Sequence, residues 1–270
     1  MVSSGASGPE IWARGYQNVF GMYTPANVYM DHVLEYAMSK GLKRVALIYE
    51  DTDFPREVAK GVKAKLRTLK MNLVFAEEYD KASTDFGSMI IKMKAKKPDV
   101  IIGGSSLPGS TAFMRQAKEN RLSAKIFAFA AGPAIPDFGQ NLGLDAEDVM
   151  GNTQWEPALN FAGTKTFAAR YAKKHGAEPS YHAAGGYGAG QVLEAAVKKS
   201  GSFDKNKLRQ ALLDLDTTTI FGRYKVDATG LQIGKPAYTI QWINGVRQII
   251  LPPSAATAKP VYPFKDWMRR

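Results

Sequence analysis

The hydrophobic pattern of this chain writes one unit repeatedly between Arg44 and Phe129: a short β-branched run, a loop, then an amphipathic stretch of helical length. The runs are Arg44-Val-Ala-Leu-Ile-Tyr49, Asp99-Val-Ile-Ile-Gly103 and Ala124-Lys-Ile-Phe-Ala-Phe129, with Asn72-Leu-Val-Phe-Ala76 as a fourth. Strands apolar at nearly every position are buried on both faces, which a sheet achieves when helices cover both sides. Their alternation with helices predicts βαβ units, an α/β fold class and a mostly parallel, doubly wound sheet. Sheets of that kind bind ligands beyond the carboxyl ends of their strands. The loops 50–55, 104–110 and 130–136 are therefore where function is expected.

The helical stripes follow the same logic. Thr24 is placed to cap a helix entered through Pro25, with Val28, Val33, Leu34, Ala37 and Met38 on one face and Gly41 at its end. The next helix buries Val58, Val62, Leu66 and Leu69, and a helix from Asp85 buries Phe86, Met89, Ile90 and Met93. A helix from Leu107 uses Ala112, Phe113, Gln116 and Ala117. These methionine and aromatic stripes read as core. A short strand is expected over 16–20. After Trp155 the text turns helical, over 161–175, 181–200 and 205–213, with Asp204 as the cap of the last. Strands return over 219–226 and 238–242, and Asn244-Gly245 is a hairpin turn into 246–251. From Pro252 the chain is proline-rich and irregular. A parallel block, a helical pair and late strands suggest that the chain leaves one lobe and enters another.

Composition narrows the function. The 270 residues are 45% hydrophobic and 23% charged, enough for a core without staples. There is no cysteine, hence no disulfide, thiolate metal site or cysteine nucleophile. His32, His175 and His182 lack the spacing of a zinc motif and read as helix surface residues. The net charge of +11 is spread along helix faces, as in Lys60, Lys63, Lys65 and Arg67, with no nucleic-acid motif beside it. No nucleic-acid partner is expected. No apolar run approaches the roughly 18 residues of a membrane span, and no signal peptide precedes Ser3. The chain opens on a loop-like Ser3-Ser-Gly-Ala-Ser-Gly-Pro9 with no strand before it, as a fragment lacking its amino-terminal part would.

No nucleophile elbow, Walker loop, dinucleotide fingerprint or zinc-protease motif is present. Gly103-Gly104-Ser105-Ser106 follows a strand but lacks the lysine of a phosphate loop. Glu50, Asp51 and Asp53 cluster at a strand end, as in magnesium-binding receivers, yet an acidic loop beside a basic helix accounts for them. No metal, cofactor or catalytic residue is expected, and an enzyme is disfavoured.

Several phrases carry a resemblance in collinear order. They are Ser7-Gly-Pro-Glu-Ile-Trp-Ala-Arg-Gly-Tyr16, Arg44-Val-Ala-Leu-Ile-Tyr-Glu-Asp-Thr-Asp-Phe54, Thr153-Gln-Trp-Glu-Pro157 and Pro179-Ser-Tyr-His-Ala-Ala184. Gly185-Gly-Tyr-Gly-Ala-Gly-Gln-Val-Leu-Glu-Ala-Ala196, Thr219-Ile-Phe-Gly-Arg-Tyr224 and Gly230-Leu-Gln232 continue it. Together they resemble the branched-chain amino acid (Leu/Ile/Val-binding) family of ABC-transporter solute-binding proteins, with the type I periplasmic binding protein fold.

That resemblance implies two α/β lobes closing over a small solute, the first lobe incomplete here. Residues 1–25 and 153–235 would be the remainder of the first lobe, and 26–152 with 236–270 the second. It implies a monomer that hands its solute to an ABC permease in the membrane, in the periplasm or attached to the cell surface. A cytosolic ligand sensor of the same fold, regulating gene expression, is the alternative. Carried over by motif, Gly5 and Ser7, with Ser4 nearby, would grip a carboxylate through backbone N–H groups and a hydroxyl. Phe54 would be an aromatic wall, or equally a hydrophobic staple at a helix start. Ser105 or Ser106 would be another wall residue. Amino-acid-binding members place an acid near Ala131 to pair with the ligand ammonium. This chain reads Phe129-Ala-Ala-Gly-Pro133 there, so either Glu50, Asp51 or Asp53 reaches in, or the solute is an apolar or aromatic carboxylate or an amide.

Overall fold

In the computed structural model, which describes residues 1–267, the backbone passes three times between two units. Unit 1 takes Met1–Ala26 and Gln154–Ala237, and unit 2 takes Asn27–Thr153 and the chain from Tyr238 onward. In chain order the first elements are β1 (Val2–Ser3), α1 (Glu10–Ala13), β2 (Phe20–Gly21), α2 (Asp31–Ser39), β3 (Arg44–Glu50) and α3 (Asp53–Thr68). Then come β4 (Asn72–Tyr79), α4 (Gly87–Ala95), β5 (Val100–Gly104), α5 (Leu107–Glu119), β6 (Ile126–Phe129), α6 (Pro136–Leu142) and β7 (Met150–Thr153). The remainder is α7 (Thr164–His175), α8 (Tyr181–Ser200), α9 (Lys205–Leu213), β8 (Thr217–Thr219), β9 (Gly222–Tyr224), β10 (Tyr238–Ile243) and β11 (Val246–Leu251).

Unit 2 is built on a seven-stranded sheet of order β11-β10-β7-β6-β5-β3-β4. Neighbours from β7 to β4 pair in parallel, and β10 and β11 close one side antiparallel. Val45 to Ile48 and Val100 to Ile102 are fully buried, as the unbroken apolar runs require. Val58, Val62 and Leu66 of α3, Met89, Ile90 and Met93 of α4, and Phe113, Met114 and Ala117 of α5 supply the covering stripes. β4 is the exception: an edge strand, it is exposed or half-buried at every position until it reaches the buried Tyr79. β3 lies between β4 and β5, so the chain reverses its direction of winding there. That reversal point, at the carboxyl ends of β3 and β5, is where doubly wound sheets open a crevice for ligands.

Several elements fall where the pattern places them. Gly41, just past α2, takes φ +73°, a left-handed value that a β-carbon resists. Asn244 and Gly245 both adopt positive φ between the paired Ile243 and Val246, the geometry of a two-residue hairpin turn. α8 and α9 occupy their expected spans, and the Asp204 carboxylate accepts from the N–H of Asn206 and Lys207 at 3.0 Å each.

Others differ. Val2–Ser3 is a strand, pairing in parallel with β2, so the chain does not open in a loop. The strand expected over 16–20 is confined to Phe20–Gly21. Thr24 caps no helix, because its hydroxyl donates to the Lys235 and Pro236 carbonyls and its N–H to Gln154 Oε1. The helix starts later, at Asp31. The run 219–226 folds back on itself as the β8–β9 hairpin. β7 and α6 had no clear signal: Met150-Gly-Asn-Thr153 is too polar to read as a strand, yet Asn152 and Thr153 are buried by their neighbours in the ladder. Unit 1 itself has two two-stranded sheets, β1-β2 and β8-β9, beside α1 and α7 to α9.

Candidate functional site

In unit 2 the strand-end loops converge. A β-carbon on Gly104 would lie 2.9 Å from the Tyr49 side chain and 3.1 Å from the Pro55 carbonyl, so the end of β5 is pressed against the start of α3. One on Gly132 would lie 1.9 Å from Ser110 Oγ and 3.4 Å from the Ser106 carbonyl, so the loop after β6 lies against the start of α5. Phe54, Ser105, Ser106 and Ala131 are thereby brought to one end of the sheet, around its reversal point. Phe54 is half-buried and meets Tyr29 edge-on, with ring centroids 5.7 Å apart. Ser106 and Ala131 are half-buried too. Ser105 is wholly buried, and its oxygen accepts from the Tyr79 hydroxyl at 2.7 Å. Burial pushes the Tyr79 hydroxyl far above its ordinary pKa, so it stays a donor throughout the physiological range.

Glu50 ties this corner together. It is 2% exposed, at the end of β3, and its Oε1 accepts both the Ser106 N–H at 2.7 Å and the Ser106 hydroxyl at 2.5 Å. A carboxylate at the first turn of α5 also answers the positive end of that helix. Asp51 is held elsewhere, accepting from the Lys81 N–H at 3.0 Å, and Asp53 is exposed. The sequence showed three acids at a strand end. It could not show that Glu50 is engaged by a loop 56 residues further on.

In unit 1 Gly5 and Ser7 lie in the loop between β1 and α1. The Ala6 N–H is taken by Ser3 Oγ at 3.2 Å, while the Ala26 N–H donates to the Ser7 carbonyl at 2.8 Å. Among the described residues no hydrogen bond occupies the N–H of Gly5 or Ser7, which leaves two donors for an anion. Ser7 is buried and Gly5 exposed. A β-carbon at Gly5 would meet nothing within 4 Å, whereas one at Gly8 would run into the Glu10 carboxylate.

Other features lie apart from these loops. A groove of about 400 Å³ in unit 1 is lined by Phe167, Tyr171 and Tyr187 with Arg170 and Lys174, and by none of the expected ligand residues. Among the described residues no group of three or more acids and histidines is arranged to hold a metal, and no helix is long and apolar enough to cross a membrane.

Comparison with known proteins gives a consistent result. The model of a periplasmic binding protein family matches residues 1–246. The Leu/Ile/Val-binding protein homolog 7 of Brucella suis biovar 1 is 27% identical over 276 residues, covering 94% of this chain and 69% of that protein. A leucine-binding protein from Thermotoga maritima superposes with a TM-score of 0.80 at 22% identity, over 92% of this chain and 71% of its own. A solute-binding protein of an ABC transporter from R. palustris, solved with benzoate, gives 0.79 at 18% identity, over 96% and 71%. At those identities the two structures speak for the fold: a mixed α/β architecture with a mostly parallel sheet flanked by helices.

Proposed function

The chain belongs to the periplasmic binding protein family, a family of solute-binding proteins rather than enzymes, and on that premise we propose that it is the solute receptor of an ABC importer. It captures a small carboxylate-bearing solute with an apolar or aromatic body, or an amide, and delivers it to a membrane permease. The two units are the two lobes of such a receptor, and the family's compartment, the periplasm or the cell surface, is where it works. The observation that carries this reading is the meeting of the loops after β3, β5 and β6 at the reversal point of the unit 2 sheet.

The free N–H groups of Gly5 and Ser7, with the Ser7 hydroxyl, receive the carboxylate. Phe54 and Ala131 offer an apolar surface. Neither Ala130, Ala131 nor Gly132 carries an acid, and Glu50 is spent on Ser106. An unpaired ammonium buried there would cost several kcal/mol, which argues against an α-amino acid. The benzoate carried by the R. palustris protein is of the favoured class.

A thermal-shift screen of this chain tests the reading. Aromatic and branched aliphatic carboxylates, and short amides, are compared with leucine, isoleucine and valine. A ligand at about 100 times its dissociation constant stabilises the folded state by about 2.7 kcal/mol. Stabilisation by the carboxylates or amides is expected. Stabilisation by leucine or valine alone would point to an ammonium partner and overturn the ligand class.

A further inference from the structure

Ser106 occupies the N-cap position of α5, with extended backbone at φ −72° and ψ 178°. A serine there ordinarily turns its oxygen back to accept a backbone N–H of the first helical turn. Ser106 makes no such bond. Its hydroxyl turns instead to Glu50 Oε1, at 2.5 Å, and its own N–H reaches the same oxygen at 2.7 Å. Oε1 is therefore an acceptor twice over, and the single hydroxyl proton of Ser106 is committed to it. A hydroxyl has one donor and two acceptor lone pairs. With the proton spent and no helix N–H taken, Ser106 Oγ retains acceptor capacity only. The carboxylate behind it polarises the O–H bond and strengthens that capacity.

The neighbouring groups make this decisive for ligand choice. Ser105 is fully buried, and Ala131 and Gly132 bring no polar side chain to the same corner. Ser106 is half-buried and so remains reachable. We infer that Ser106, oriented by Glu50, selects solutes that present a neutral hydrogen-bond donor, an N–H or O–H, to this corner of unit 2. This rests on the solute-receptor reading above and sharpens it. Of the carboxylates with an apolar body, those that also carry an amino, amide or hydroxyl donor are preferred. An ether or carbonyl placed there would face a lone pair with a lone pair.

Calorimetric titration of this chain with substituted benzoates tests the inference. The 3- and 4-amino and 3- and 4-hydroxy compounds carry a neutral donor, the methyl compounds none, and the methoxy compounds only an acceptor. At least tenfold tighter binding is expected for the best donor compound than for its methyl counterpart, and the methoxy compound is expected to be weakest. Ser106→Ala should abolish the discrimination, bringing each donor compound to the affinity of its methyl counterpart, and Ser106→Thr should restore it. A loss of folding alone would weaken all compounds together and leave their ratios intact. Equal affinity for donor and methyl compounds, or unchanged ratios in Ser106→Ala, overturns the role of Ser106 and leaves the receptor reading standing. Binding by none of the carboxylates or amides removes both.

Discussion

At Ser7 a hydroxyl sits in a buried loop position beside two N–H groups that have no partner among the described residues. Replacing it by alanine should weaken binding of the carboxylate solute by about 1 to 3 kcal/mol, the usual cost of leaving a charged group one hydrogen bond short. Titration calorimetry showing unchanged affinity would take Ser7 out of the site. Lys235 in unit 1 is a different case. Its ammonium position is wholly buried, 3.0 Å from the Gln154 carbonyl and 3.6 Å above the Phe221 ring, and burial holds its pKa well below 10.5. The unfolded chain keeps that proton up to about pH 10.5, whereas the folded chain gives it up earlier. The unfolded state binds more protons in that window, so folding gains stability as pH rises towards 10.5. The stability of the natural chain relative to Lys235→Met should therefore increase between pH 7 and pH 10 in urea titrations. A difference that stays flat would mean the amine is charged in the fold. The resemblance pointed to Ser7, but nothing in the sequence exposed the burial of Lys235, because it depends on Gln154, 81 residues away along the chain. Strand-end position singled out the loops, and the family resemblance named Phe54, Ser105, Ser106 and Ala131 within them. The burial of Ser105 and the tie from Glu50 had to come from tertiary packing.

Among elements, α3 shows how closely packing constrains a helix. Gly61 lies on its buried face, and a β-carbon there would stand 1.7 Å from the backbone carbonyl oxygen of Asn27. Backbone cannot swing aside as a side-chain end can, so Gly61→Ala should destabilise the chain by about 1 to 3 kcal/mol. A lowered urea midpoint with an unchanged slope is the expected signature, and an unaltered midpoint would refute the contact. Local rules served well where they acted alone. Asp204 caps α9, Ser180 caps α8, and Asn244-Gly245 turns the hairpin. They failed where a distant group competed. Thr24 has the chemistry of a cap, yet carbonyls more than 200 residues away hold its hydroxyl. β7 becomes a strand because β6 and β10 flank it, not because Met150-Gly-Asn-Thr153 asks for one.

For the molecule as a whole, the two units differ in how their backbone is secured. β3, β5 and β6 are inner strands of the seven-stranded sheet with buried residues on both faces. β1-β2 and β8-β9 are pairs with no further neighbour among the described residues. Hydrogen exchange should accordingly find the slowest amides in β3, β5 and β6 and the fastest strand amides in the two pairs. Slowest exchange in β8 or β9 would contradict this order. The parallel architecture was legible from four apolar runs, since burial on both faces leaves that mark in the sequence.

The register of β7 against β10 carries a consequence for how such a chain can be made. Thr153 stands directly opposite Tyr238, so the ends of the long excursion through Gln154–Ala237 emerge side by side. To the sheet of unit 2, that excursion is a passenger carried in a hairpin loop. On the ribosome β10 must wait for the whole passenger to be translated, and the antiparallel edge is the last part of the sheet to be laid down. In a gene the passenger could be exchanged for a short turn without removing one rung of the β7–β10 ladder.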